Sequence, residues 1–375
     1  MPAIVRAMGQ RFAVRALMLA GLIVAFGGIA RAESGLVSVP TSAASLQRFW
    51  TPQRILSAKP MTPIARPGLT LAPVASPEHE AASTFAAAAP PTVTASPDMT
   101  LRLWPKGTTN ATTPDAPPPN FYDNGYYSES RVFPVPTAVP PAYPFPESAV
   151  GQLYYVDAQN NTHACTAAVL TKRIVVTAAH CIAHASTTAS GRYFYSGFGF
   201  YPSRNGANAP LGLWGFNSLN VPATWYNSDG SFPNKEDWGF LVAVDTGGGK
   251  KIADLTGHLG YQTNSLHANH VTMLAYPYNF DGDSLMQRSD AANFASAANN
   301  TWIFGSNFYV GADGGPWIQN FGVAPTGGVT PSNMVVAVGS YFPPNFQPGY
   351  MGASEFNADF VTQLKAVCAK TAGNC

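Results

Sequence analysis

The chain has 375 residues, 46% of them hydrophobic and only 11% charged, with a formal net charge of +1. That length holds one large domain or two modest ones. So sparse and balanced a charge excludes the basic footprint of a nucleic-acid binder and strong electrostatic steering of a substrate.

Arg6, Arg11 and Arg15 precede an apolar run from Ala16 to Ala30, and Ala30-Arg31-Ala32 offers a small-residue cleavage site before Glu33. This is the layout of a secretory signal peptide over residues 1–32, cut after Ala32. The run falls short of the roughly 20 apolar residues a spanning helix needs, and no later segment is longer. The mature chain is expected to be secreted or periplasmic, with no membrane span. Without the four arginines of residues 1–32, 17 basic residues face 20 acidic ones, a net of −3.

Residues 33–146 hold 21 of the 33 prolines, set among Ala, Ser and Thr. Such a composition buries too little apolar surface to offset its ordering entropy, which predicts a largely disordered pro-segment or linker. A spacer or an intramolecular cover for a groove are its other candidate roles. Its aromatic end, Phe121-Tyr122 through Tyr126-Tyr127, is expected to pack on the domain that follows.

From Glu147 the composition changes, and a domain over 147–375 is expected. Short β-branched and aromatic runs recur at Gln152–Val156, Ala167–Leu170, Arg173–Thr177, Tyr193–Tyr201, Ala223–Tyr226, Trp238–Val244, Val271–Tyr276, Trp302–Gly305 and Met334–Tyr341. Gly, Asn, Pro and Asp clusters separate them, a pattern that predicts an all-β sandwich or barrel. Phe356, Phe360, Val361, Leu364 and Val367 then fall at helical spacing with Ser354 as a candidate cap, so a C-terminal helix is expected to dock on the strands.

Four cysteines in an exported chain favour disulfides, and three connectivities exist. Cys165–Cys181 with Cys368–Cys375 makes two short local loops and is the expected one. A metal site lacks support, because the cysteines are not in close pairs joined to histidines at ligand spacing. Asp281-Gly282-Asp283 lacks the further spaced oxygens of a calcium loop and reads as a turn. No cofactor motif is found.

Acyl transfer by a serine needs a hydroxyl, a base, a carboxylate that orients the base, and donors aimed at the oxyanion. His180, in Thr177-Ala178-Ala179-His180-Cys181, follows a strand-like run and adjoins a cysteine with a partner sixteen residues back. Asp237 stands at the mouth of the apolar run Trp238–Val244. Gly311-Ala312-Asp313-Gly314-Gly315-Pro316-Trp317 has the form of a nucleophile turn, with a carboxylate where the hydroxyl belongs.

This set resembles the trypsin/chymotrypsin-like serine proteases, and most nearly their secreted bacterial branch that includes the glutamyl endopeptidases. The likeness runs over roughly residues 147–368. It implies two packed six-stranded antiparallel β-barrels with the site between them, and a C-terminal helix. It implies His180 as general base, Asp237 as its orienter, Asp313 in the nucleophile position, and the N–H groups of Gly311 and Asp313 as the oxyanion hole. The partner implied is a peptide or protein. Ala312 replaces the aspartate that in many relatives receives a new N-terminus, so activation by that salt bridge is not expected. Asn307 stands at the pocket-base position, which leaves a Lys or Arg preference unsupported, and Phe342 is placed to crowd the pocket.

Asp313 decides the function expected. A carboxylate there adds negative charge where the oxyanion's charge must develop, usually the largest catalytic term. It also places His180 between two carboxylates, favouring the imidazolium that cannot act as a base. Direct attack by Asp313 on an amide would give an anhydride whose collapse favours starting material. A His180–Asp237–Asp313 metal site is not expected either, because the geometry the resemblance implies sets the imidazole between the two acids. Ser306 and Ser340 lie off the nucleophile turn. The expectation is a protease homologue that binds a peptide or protein without cutting it, with an active serine endopeptidase as the alternative.

Overall fold

Two antiparallel sheets carry the chain beyond residue 147. In the first, the strand order is Phe216–Asn220, Gly239–Ala243, Ile174–Thr177, Thr162–Val169, Val150–Val156, Ser196–Pro202. Ile174–Thr177 is buried at every position, which fits its unbroken β-branched sequence better than an alternating one would. The outer strands approach at an isolated pairing of Phe200 with Trp214, leaving this sheet a half-barrel.

The second sheet runs Pro316–Gln319, His270–Ala275, Gln287–Ala297, Thr301–Ser306, Gly349–Glu355, Met334–Tyr341, and the last strand pairs back with the first. That return closes a six-stranded barrel and leaves no free edge among its members. The all-β, two-barrel architecture expected from the sequence is therefore present, with one barrel closed and the other open.

The computed structural model describes residues 37–38, 43–61, 63–66, 84–89, 101–102, 127–135, 142–266, 269–297, 301–323, 331–342 and 349–375. The expected signal peptide and much of 33–146 lie outside them. Among the described residues, no helix is long and apolar enough to cross a membrane.

The C-terminal helix spans Ala358–Lys370 and buries Phe360, Val361, Leu364 and Val367. Phe360 stacks on Phe356 at 3.7 Å and meets Trp238 and Phe240 edge-on at 5.2 and 5.1 Å, which seats the helix on the first sheet. Its cap is Asn357, whose side chain accepts from Phe360 N at 3.0 Å. Ser354, the cap expected, sits in the preceding strand and donates to Asn234 O instead. Both expected disulfides are formed, and Cys368–Cys375 ties off the helix end.

One expected strand is a helix. Ala223–Tyr226 turns because Pro222 precedes it and its carbonyl accepts from Tyr226 N at 2.9 Å, a geometry a proline at the start favours.

Stretches of 33–146 are built onto this scaffold. Helices Ala43–Phe49 and Pro52–Ser57 flank Trp50, which is wholly buried and donates from Nε1 to Gly197 O at 2.7 Å. Lys59–Pro60 pairs parallel with Thr162–Val169, whereas Thr84–Phe85 pairs antiparallel with Gly260–Gln262 and Tyr127–Arg131 antiparallel with Gln287–Ala297. Tyr127 packs on the second barrel's core, and the rest of the aromatic end from Phe121 to Tyr126 lies outside the described residues. These parts of a segment expected to be disordered thus adopt sheet and helix structure on the domain.

Candidate active site

His180 and Asp237 meet because of one ladder. Thr177 pairs with Gly239 in antiparallel strands, so the chain leaving Thr177 and the chain entering Gly239 sit at the same end of the sheet. Three residues onward His180 lies in the short 3-10 turn Ala179–Cys181, and two residues back stands Asp237. The Cys165–Cys181 disulfide pins that turn to the neighbouring strand.

Asp237 is fully buried and saturated with donors. Its Oδ1 accepts from His180 N at 2.8 Å, and its Oδ2 pairs with His180 Nδ1 at 2.8 Å and accepts from Ser340 Oγ at 2.6 Å. A carboxylate so bonded fixes the imidazole's orientation and directs Nε2 away from itself. Ser340 comes from the second barrel's Met334–Tyr341 strand, so this one group joins the two sheets.

The turn at 311–315 is equally determined. Ala312 N donates to Tyr309 O at 3.0 Å, Gly315 N to Ala312 O at 2.9 Å, and Gly314 N to Gly339 O at 2.7 Å. Thr166 braces it from the first sheet, donating from N to Asp313 O and from Oγ to Gly311 O, both at 2.8 Å. Gly314 has φ +77, and a Cβ there would lie 1.9 Å from Thr177 Oγ1. Only glycine fits that position.

Asp313 therefore projects into a closed space. Asp313 is wholly buried and His180 is 3% exposed, while His180 Nε2 and both Asp313 carboxylate oxygens are buried without a hydrogen-bond partner. The N–H groups of Gly311 and Asp313 favour the charged form of the carboxylate without reaching hydrogen-bonding geometry. Burial pushes the Asp313 carboxyl up to about 7, Asp237 adds to the rise, and His180 opposes it. For His180, burial lowers the pKa, but the charge and hydrogen bond of Asp237, with Asp313 behind them, carry it above its ordinary value.

Sequence reasoning missed three neighbours. Phe232 meets the His180 ring edge-on at 5.4 Å, Thr166 braces the turn, and Glu129 accepts from Asn307 N and Ser306 Oγ. Burial pushes Glu129 up to about 7. No local signal marks any of them: Thr166 and Glu129 arrive on strands far away in sequence, and Phe232 in the bend that precedes Asp237. Asn307 thus has its backbone engaged by an acid from upstream, and Phe342 is buried against Tyr309. Ser306 and Ser340 spend their hydroxyls on Glu129 and Asp237, away from His180 Nε2.

No site for a metal is built here among the described residues. Cys165, His180 and Cys181 converge, but both sulfurs are consumed by their mutual bond. Asp281 is engaged by Arg131 and Gln287, and Asp283 faces Arg204 at 3.7 Å, so cationic and amide side chains hold those acids.

The family described as Trypsin matches residues 146–197, the stretch that holds the first three strands and His180. Protease Anisep from Arthrobacter nicotinovorans superposes with a TM-score of 0.51 at 22% identity, over 65% of this chain and 100% of that one. The fold is that of the trypsin-like serine proteases. The thermostable serine protease AL20 from an extremophilic microorganism (21% identity, 60% of this chain and 99% of that one, TM-score 0.48) is also similar. So is a Glu endopeptidase (16%, 67% and 99%, 0.49). No curated protein matches the chain in sequence. Within the trypsin-like fold, His180 and Asp237 are bonded where Ser340 of the second barrel reaches the first, and the charge of Asp313 acts on the same imidazole.

Proposed function

We propose that this chain is an exported, non-hydrolytic homologue of the trypsin-like proteases that binds an extended peptide or protein in its cleft. The observation that carries the reading is Asp313: a buried carboxylate on the nucleophile turn, sharing His180 with Asp237. When charged, it opposes an incipient oxyanion from the very position the N–H groups of Gly311 and Asp313 would serve. When protonated, it is a poor nucleophile. Loss of the nucleophile alone costs on the order of a millionfold in turnover.

The intact His180–Asp237 pair and its Ser340 support favour a second reading, an active serine endopeptidase. A fluorophosphonate probe on the purified full chain separates the two. No labelling is expected of the wild type, and stoichiometric labelling would defeat the non-hydrolytic reading. Asp313→Ser restores the missing hydroxyl beside His180 and is expected to gain labelling.

A further inference from the structure

The cleft between the barrels is already crossed by residues 59–61 and 63–66. Lys59–Pro60 pairs parallel with His163 and Ala164 on the strand that carries Cys165, and His163 Nδ1 lies 3.2 Å from Lys59 O. Pro60 then passes over the turn of Asp313, its Cβ 3.6 Å from where a side chain on Gly311 would begin. Beyond it the chain reaches the far wall. Phe342 N donates to Pro63 O at 2.8 Å, Ala65 N donates to Phe342 O at 2.9 Å, and Arg66 N donates to Phe232 O at 3.1 Å.

Those bonds form a parallel bridge between Ile64 and Phe342, next to Ser340 and Tyr341. The side chains alternate as a docked strand requires. Ile64 is 38% exposed, whereas Ala65 is 2% exposed in a slot with Tyr341, Ile303 and Phe232. Phe232 is the ring that abuts His180. The segment is held from upstream by Trp50, Ile55 and Ala58, which pack with Tyr154, Val156 and Ala164. Main-chain bonds on a strand whose alternate side chains, here Pro63 and Ala65, are buried are the ordinary means of binding an extended peptide.

We infer that residues 59–66 are the cleft's own ligand, docked in cis, and that another peptide enters only by displacing them. The ligand class follows from the docking: an extended chain with a small residue where Ala65 sits and, two positions earlier, a residue that can be buried as Pro63 is while its carbonyl accepts from Phe342 N. A tethered occupant acts at an effective concentration that reaches about millimolar for short linkers, so a free peptide of equal contacts competes poorly with it. This inference rests on the proposed peptide-binding role for the identity of the displacing ligand, and not for the docking of residues 59–66.

The test uses the full chain and an Ala65→Glu variant, which puts a charge in the apolar slot. Amide hydrogen exchange is read at Ala65 and Phe342, with Val336 and Val338 as internal references. A labelled synthetic peptide of sequence 58–66 is titrated onto both proteins. Expected are slow exchange of the Ala65 and Phe342 amides in the wild type, and at least tenfold faster exchange at Phe342 in the variant with the references unchanged. The peptide is expected to bind the variant at least tenfold more tightly than the wild type. Free-chain exchange rates at Ala65 and Phe342 in the wild type overturn the inference without recourse to the variant. Measurable binding of the peptide with equal affinity to both proteins overturns it as well. Protection in the wild type, released in the variant with no peptide binding to it, upholds docking in cis and defeats the peptide-binding reading of the cleft.

Discussion

Ser340 and His180 share one oxygen: Asp237 Oδ2 accepts from the serine hydroxyl at 2.6 Å and pairs with the imidazole Nδ1 at 2.8 Å. The first donor draws negative charge away from the second. Replacing Ser340 by alanine should leave more of that charge on the imidazole and raise the His180 pKa further. It should also cost about 1.5–3 kcal/mol of stability, the range for a hydrogen bond to a charged group. Histidine NMR titration and denaturant unfolding of Ser340→Ala check the two effects together. An unchanged His180 pKa would mean that the serine does not polarise the pair.

The two acids around His180 differ in their hold on it. Asp237 acts by charge and by hydrogen bond, Asp313 by charge alone. Asp237→Asn is therefore expected to lower the His180 pKa more than Asp313→Asn does, and both should lower it. The same NMR titration on the two variants gives the order. A larger drop in Asp313→Asn would show that the carboxylate at 313 is the principal partner of the ring.

Gly314→Ala should be among the most damaging single changes in the domain. The added methyl meets Thr177 Oγ1, Thr166 O and Ala178 N together at a φ of +77. Backbone atoms on two strands would have to move, so a loss of at least several kcal/mol is expected. Thermal unfolding of the purified variant is the measurement, and a shift of only a degree or two would contradict the packing described.

The fold class and the motifs of the candidate site were both legible in the sequence, the individual strands less so. His180, Asp237 and Asp313 stand in compact motifs whose residues are fixed by chemistry, and all three are readable from them. Strands rich in β-branched residues, such as Ile174–Thr177 and Met334–Tyr341, are also visible. Phe216–Asn220, Gln287–Ala297 and Gly349–Glu355 are not, because Asn, Ser, Ala and Gly dominate them, and Pro316–Gln319 is only four residues long and opens on a proline; tertiary pairing makes them strands. The same reason hides residues 59–66. A proline-rich stretch gains order there by pairing with a strand of the domain, which no local composition signals.

The buried acid also predicts a pH dependence of stability. Asp313 is raised to about 7 in the folded chain from an ordinary 3.8, so between those values the folded state binds a proton that the unfolded state has released. Stability contributed by this group is therefore greatest at low pH and falls as pH rises through neutrality. His180, whose folded pKa is also raised, acts in the same direction: its contribution is full below 6.5 and lost as pH climbs through the folded value. Asp313→Asn keeps the shape of the side chain and removes its charge. The variant should match the wild type near pH 4 and exceed it above pH 7. The gain should be on the order of a few kcal/mol, because each tenfold difference in proton affinity between the folded and unfolded chains is worth about 1.4 kcal/mol. Urea unfolding of both proteins across pH 4–8 measures the difference. If the variant's advantage does not grow with pH, Asp313 is ionised throughout that range, and the carboxylate must be satisfied within the fold by a partner that balances its charge.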